Sequence, residues 1–137
     1  MAGNIRLEVV TPEKIVVNED AQIVIAPGSL GEFGVLIGHT PFLTTLKVGI
    51  VKYKDASGVE RFVFVNGGFA EALPDKVTIL TQSAERRRDI NLERAKSAYE
   101  RAMTRVDRQK GEDIDFIRAR AALQRALHRL RLAETRR

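Results

Sequence analysis

The spacing of hydrophobic residues changes once along this chain, near Thr81, and the change divides it into two kinds of structure. Before that point the period is close to two. "IRLEVV" (5–10) and "AQIVIA" (21–26) alternate, while "VERFVFVN" (59–66) and "KVTILT" (76–81) are rich in β-branched and aromatic side chains. Such residues fit a pleated, half-buried surface, and alternation sends every second one to a common face. Turn formers punctuate the runs at Thr11-Pro12, Asn18-Glu19-Asp20, Pro27-Gly28-Ser29, Asp55-Ala56-Ser57-Gly58 and Leu73-Pro74-Asp75. Strands this short and this frequent, with no helical stretch between them, predict an antiparallel β-sandwich of about eight to ten strands.

After Thr81 the period lengthens to that of a helix. Leu92, Ala95, Tyr99, Ala102 and Val106 follow a 3,4,3,4 spacing, which puts them on one seam. Asp89 suits the N-cap of this helix and Gly111 its stop. A second seam runs through Phe116, Ala119, Leu123, Ala126, Leu130 and Ala133, with Asp113 or Asp115 placed to cap it and to meet the positive end of its dipole. Two helices of this length joined by "QKGEDID" predict an antiparallel hairpin. The whole chain therefore reads as α+β: a sandwich over residues 1–84, then a two-helix hairpin over 85–137. The seams are rich in alanine, which permits close approach but buries little area, at about 25 cal/mol per Å². A hairpin built this way gains little from its own packing. It is a candidate moving part.

Charge sharpens the division. Residues 1–84 hold seven Lys and Arg against nine Asp and Glu, whereas residues 85–137 hold sixteen against nine. The net +5 of the chain thus resides in its last third, mostly as arginine, and such asymmetry points to different tasks for the two segments. There is no cysteine, which excludes a disulfide framework or a thiolate metal site, and the two histidines, His39 and His128, are far apart. No apolar stretch approaches the roughly 18 residues of a spanning helix, and "MAGNIRLEVV" has neither the charged nor the apolar region of a signal peptide. A soluble intracellular protein is expected.

Candidate chemistry is sparse. The glycines of "GSLGEFGVLIGHTPFL" (28–43) lack the Lys-Ser/Thr of a phosphate-binding loop, and no helix follows to receive an anion, so they read as tight corners between strands. Glu32 and Phe33 fall near the tip of a loop that could serve as a contact surface, and His39, before Thr40-Pro41, reads as a hydrogen-bonded turn residue. No Ser/His/Asp set or carboxylate pair stands out, and no catalytic residues are expected.

The hairpin arginines are the more informative constellation. Arg94 and Arg101 share one side of the first helix; Arg118, Arg125 and Arg129 share one side of the second. The guanidinium fork is suited to phosphates and carboxylates. Converging, these arginines would make an anion pocket; on an opened arm they would meet an acidic protein surface. They could equally be a solvated helix face paired with Glu93, Glu100 and Asp107. Nucleic acid is a fourth possibility, but the segment has few aromatics for stacking and its acids are interspersed, so no nucleic acid is expected.

Three long stretches, "PGSLGEFGVLIGHTPFLTTLKVG" (27–49), "FVNGGFAEALPDKVTIL" (64–80) and "DIDFIRARAALQRALHRL" (113–130), resemble the epsilon subunit family of bacterial F-type ATP synthases, and the resemblance extends over the whole chain. It implies a non-catalytic subunit of the rotating central stalk, peripheral to the cytoplasmic side of the cell membrane in a proton-translocating complex. The sandwich would be held by the gamma subunit and the ring of c subunits, with Glu32, Phe33 and His39 in the region facing them. The hairpin would lie folded or extend to inhibit ATP hydrolysis against acidic segments of the beta subunit. A free-standing ATP-sensing module is the alternative.

The resemblance also implies a regulatory ATP, with or without Mg²⁺, bound by the folded hairpin at Glu85, Ile90, Asn91, Arg94, Ala95, Arg101, Arg125 and Arg129. Two departures are visible. Ile37 stands where the family more often has Pro. The family pattern Ile/Leu-Asp-x-x-Arg-Ala reads Ile90-Asn91-Leu92-Glu93-Arg94-Ala95 here. Asn91 can donate and accept hydrogen bonds, for example to an adenine edge or a ribose, but brings no charge. The stretch from Ser83 is expected to act as a hinge leading into an anion-binding helix.

Overall fold

In β1 (Ile5–Val10) alternation decides the fold of the segment directly: Ile5, Leu7 and Val9 are fully buried, while Arg6 faces solvent. The computed structural model describes residues 3–108 and 114–135, and its backbone contacts divide the chain into Met1–Arg86 and Arg87–Arg137. In the first unit the other strands are β2 (Ile15–Gly28), β3 (Gly31–Val35), β4 (Phe42–Asp55), β5 (Glu60–Leu73), β6 (Lys76–Leu80) and β7 (Ala84–Arg86). They hydrogen-bond in the order β1-β6-β5-β4-β2-β3, and β1 also pairs with β2, so the sheet wraps round and closes on itself. Every pairing is antiparallel except β1 with β6. Inside lie Val17, Val24, Val51, Tyr53, Val63 and Val77, each at most 1% exposed.

The β-sandwich forms as expected, but from seven strands among the described residues instead of eight to ten. The reason lies in β2, β4 and β5, each 14 residues long. β2 and β5 change partners along their length, β5 from β7 to β6, while β4 runs between them unbroken, so one strand occupies the sequence of two. β2 pairs with β1 over Ile15–Ala21, then with β3 and β4 over its second half, with register shifts at Ala21/Ile23 and Ile25/Gly28. Bulges of this kind turn the corners of small closed sheets. At Gly68 the strands come so close that a β-carbon would collide with the Leu80 carbonyl oxygen, and the φ of 116° is in the range that favours glycine.

The turn between β4 and β5 is fastened by a single carboxylate. Asp55 Oδ1 accepts the N–H groups of Ser57 and Val59, both at 2.9 Å, and its Oδ2 accepts Arg61 Nε at 3.1 Å. The amide of Val59, first, and the guanidinium of Arg61 stabilise the ionised form, holding the Asp55 carboxyl below its ordinary value. Gly58, with φ of 84°, supplies the left-handed position.

In the second unit a 3₁₀ turn over Arg87–Asp89 precedes α1 (Leu92–Arg108) and α2 (Ile114–Glu134), which pack against each other. Of the expected seam, Ala95 and Ala102 are buried, Tyr99 and Val106 half-buried, and Leu92 is at the surface. On α2, Ala119, Ala126 and Ala133 are buried, and Phe116, Leu123 and Leu130 half-buried. No helix of the described residues is long and apolar enough to cross a membrane.

Candidate functional site

The cap of α1 is Asn91, not the expected Asp89. Asn91 Oδ1 accepts the N–H of Arg94 at 2.9 Å, and its backbone carbonyl accepts the N–H of Ala95 at 3.0 Å. Asp89 belongs instead to the 3₁₀ turn, which is closed by Ile90 N–H donating to the Arg87 carbonyl at 3.2 Å. An asparagine two residues further on reaches the third helical N–H better because its own φ/ψ lie outside the helix. The cap of α2 named as Asp113 and the stop named as Gly111 lie outside the described residues; Asp115 lies in the first turn of α2.

Three of the expected arginines converge. Arg94 and Arg101 from α1, and Arg129 from α2, line a cleft of about 370 Å³ together with Glu93, Ser97 and Ala98. Arg94, Ala98 and Arg101 follow a 4,3 spacing and Glu93, Ser97 and Arg101 a 4,4 spacing, so two adjacent rows of α1 make one wall. Arg129, from the other helix, is half-buried, which restricts its rotamers more than those of the exposed Arg94 and Arg101. Three guanidinium groups around such a space present many N–H donors and no acceptor, the donor set for a polyphosphate or carboxylate. Glu93 offsets one of their charges, and Ser97 adds a hydroxyl at the centre of the wall.

The remaining residues of the expected site are not part of the cleft. Arg125 is half-buried elsewhere on α2, and Ala95 is buried with its small side chain at the seam. Ile90 is 2% exposed at the start of the unit. Asn91 has its carboxamide oxygen engaged by the Arg94 N–H, leaving its NH₂ group to donate. Glu85 lies on β7, in register with Phe64 of β5, within the first unit. Ser97 was not singled out from sequence, and Glu93 only as a partner for the arginines on a solvated face. The signal was present: 93, 97 and 101 lie along one row that ends on an arginine already chosen.

On the first unit, Glu32 and Phe33 are in β3, paired with Pro27 and Ala26 of β2. They lie on a strand, not at the tip of a loop, because the Gly28–Gly31 pair closes the turn earlier, at Ser29-Leu30. Phe33 packs edge-on to Phe42, with centroids 5.1 Å apart, and His39 lies 6.0 Å from the same ring. His39 Nδ1 is 2.6 Å from the Thr40 carbonyl oxygen, so Nδ1 carries a proton and donates. Ile37 is half-buried and packs against the core. Around this cluster Leu30 is fully exposed and Leu43 largely so. A second apolar surface is a concavity of about 430 Å³ lined by Val10, Pro12, Phe69 and Leu80 among others.

A β-sandwich followed by a helical domain is also the order of the two ATP synthase Delta/Epsilon chain domains that the chain matches. The family model of the beta-sandwich domain of the ATP synthase Delta/Epsilon chain matches residues 4–87, and that of its long alpha-helix domain matches residues 88–134. The chain is 65% identical over 107 residues to the ATP synthase epsilon chain of Desulfatibacillum aliphaticivorans, covering 78% of this chain and 76% of that one. It is 63% identical over 114 residues to the epsilon chain of Desulforapulum autotrophicum, covering 82% and 84%. Among solved structures it is similar to a chain of the Euglena gracilis mitochondrial ATP synthase, in a structure described as OSCP, F1 and c-ring in rotational state 1. There the TM-score is 0.77 at 25% identity, covering 90% of this chain and 78% of that one. The chain belongs to the family of ATP synthase epsilon chains.

Proposed function

We propose that this protein regulates the rotary complex as well as coupling it, with the hairpin as an arm whose folded form is stabilised by bound ATP. The observation that carries this reading is the cleft on the hairpin, where Arg94, Arg101 and Arg129 of two helices converge. Only the folded hairpin can bring them together, so an anion bound there favours that form in proportion to RT ln(1 + [ATP]/Kd). The released arm would expose the same arginines to the acidic beta subunit and inhibit hydrolysis. Mg²⁺ would accompany the nucleotide, with the phosphates held by the arginines. The chain itself performs no catalysis in this reading.

The sandwich is the fixed part. Its two exposed apolar surfaces, one around Leu30, Phe33, Phe42 and Leu43 and the other around Phe69 and Leu80, suit stable contacts with the c ring and the gamma subunit. These contacts would place the subunit at the membrane periphery on the cytoplasmic side. Glu32 and His39 border the first surface.

Calorimetric titration of ATP into the full chain, with and without Mg²⁺, tests the proposal. One-site binding is expected, lost in the Arg94→Ala/Arg129→Ala double variant and retained in Arg88→Ala, which lies outside the cleft. Binding that persists in the double variant, or no binding at millimolar ATP, overturns the nucleotide reading. Co-purification with gamma and the c ring separately tests the stalk reading against that of a free-standing ATP sensor.

A further inference from the structure

We propose that the arginine cleft of the hairpin recognises a triphosphate by its phosphate chain alone. ATP, another nucleoside triphosphate and inorganic tripolyphosphate would then bind alike. This specificity rests on the anion reading of the cleft and narrows it. Arg94, Arg101 and Arg129 set three positive charges against the one negative charge of Glu93, and the remaining lining is Ser97 and Ala98. Guanidinium groups donate hydrogen bonds and accept none, so they answer the oxygens of a phosphate chain. Ser97 is exposed one helical turn after Glu93 and one before Arg101, which puts a hydroxyl donor along the same row.

Among the described residues, no group lining the cleft tells one base from another. Every base has a π-face to lay on a guanidinium plane, so stacking adds affinity without choice. The Glu93 carboxylate accepts hydrogen bonds, but adenine, guanine and cytosine each carry an amino group to donate to it. The backbone from Ser97 to Arg101 is interior to α1, where N–H and C=O groups are used within the helix. Ala98 offers only a methyl group.

The groups near the start of α1 that could read a base are engaged. A carboxamide recognises adenine through its oxygen and its NH₂ together. The Asn91 oxygen is held by the Arg94 N–H at 2.9 Å, which orients the amide for capping α1 and not for pairing both its groups with one base edge. Ile90 and Ala95 are buried and give no apolar floor for a ring. Arg125, half-buried elsewhere on α2, is not in the lining. The folded hairpin would therefore be stabilised by the sum of the triphosphates present, not by ATP alone.

Calorimetric titration of the full chain with ATP, GTP, sodium tripolyphosphate and AMP, all at one ionic strength, tests it. The three triphosphates are expected to bind one per chain, with Kd values within about threefold of one another. AMP should bind about 100-fold more weakly or not measurably, since two phosphates are gone and each charge-assisted contact is worth roughly tenfold or more. Tripolyphosphate should displace ATP and should lose its binding in Arg94→Ala/Arg129→Ala; Arg101→Gln serves if that variant loses its helices. If ATP binds but GTP or tripolyphosphate is weaker by about tenfold or more, the base is read, and the inference falls while the nucleotide reading stands. Tripolyphosphate that fails to displace ATP, or that still binds the substituted cleft, sits elsewhere on the basic hairpin and overturns the inference as well. If no triphosphate binds, the inference and the nucleotide reading fall together.

Discussion

The carboxamide oxygen of Asn91 accepts the backbone N–H of Arg94 at 2.9 Å, so one residue starts the helix and fixes the backbone of the arginine that enters the cleft. An asparagine serves this role about as well as an aspartate. Either residue therefore gives the same local geometry at the start of α1. Asn91→Ala is expected to lower the stability of the hairpin by about 1 kcal/mol. Asn91→Asp should match the native protein or exceed it by about 0.3–1 kcal/mol through the helix dipole. Circular dichroism melts of the three proteins, read against exchange of the first-turn amides of α1, check the order.

Glu93 is the one acid lining the arginine cleft. Its charge opposes an anion in that space, so Glu93→Gln should tighten the proposed ATP binding by about two- to five-fold, the size of an exposed charge contact. The gain should shrink as salt is added. Titration at two ionic strengths measures both effects, and an unchanged Kd at low salt would show that Glu93 faces away from the phosphates.

Tyr53 gives an alkaline limit to the sandwich. Burial, the largest cause, pushes its phenol up to about 12 from 10.0, while the nearby Arg86 acts the other way. The folded state therefore favours the protonated phenol. Its contribution is complete below pH 10 and is lost as the pH rises through about 12. Tyrosinate absorbance should show a late-titrating phenol that is absent from Tyr53→Phe. Over the same interval the native protein should lose stability more steeply than the variant.

Gly68 admits no side chain. Its φ is 116°, and a β-carbon would meet the Leu80 backbone. Gly68→Ala should cost more than about 2 kcal/mol, since both backbone strain and a forced separation of β5 from β6 contribute. Gly31, also at positive φ but with open space around its α-carbon, should cost less when changed to alanine. Urea unfolding of the two variants separates close approach from conformation alone.

Each part of the chain was legible to the extent that its physics is local. Alternation at Ile5, Leu7 and Val9 named the inner face of β1, and the 3,4 spacing of Ala95, Tyr99 and Ala102 named the seam of α1, because periodicity alone decides which side chains share a face. Arginines seven apart were placed on one side of α1 for the same reason. The strand number was not legible, since the lengths of β2, β4 and β5 depend on which strand lies alongside.

The tertiary structure alone decided which arginines meet. Arg129 lines the cleft with Arg94 and Arg101, and Arg125 does not, because the packing and relative rotation of two helices are set by side chains from both. It also decided that Arg86, in a run of three arginines indistinguishable by sequence, is the one engaged by Val16, Glu19 and Tyr53. Those partners are 33 to 70 residues away along the chain, and only the closure of the sheet brings them within hydrogen-bonding distance.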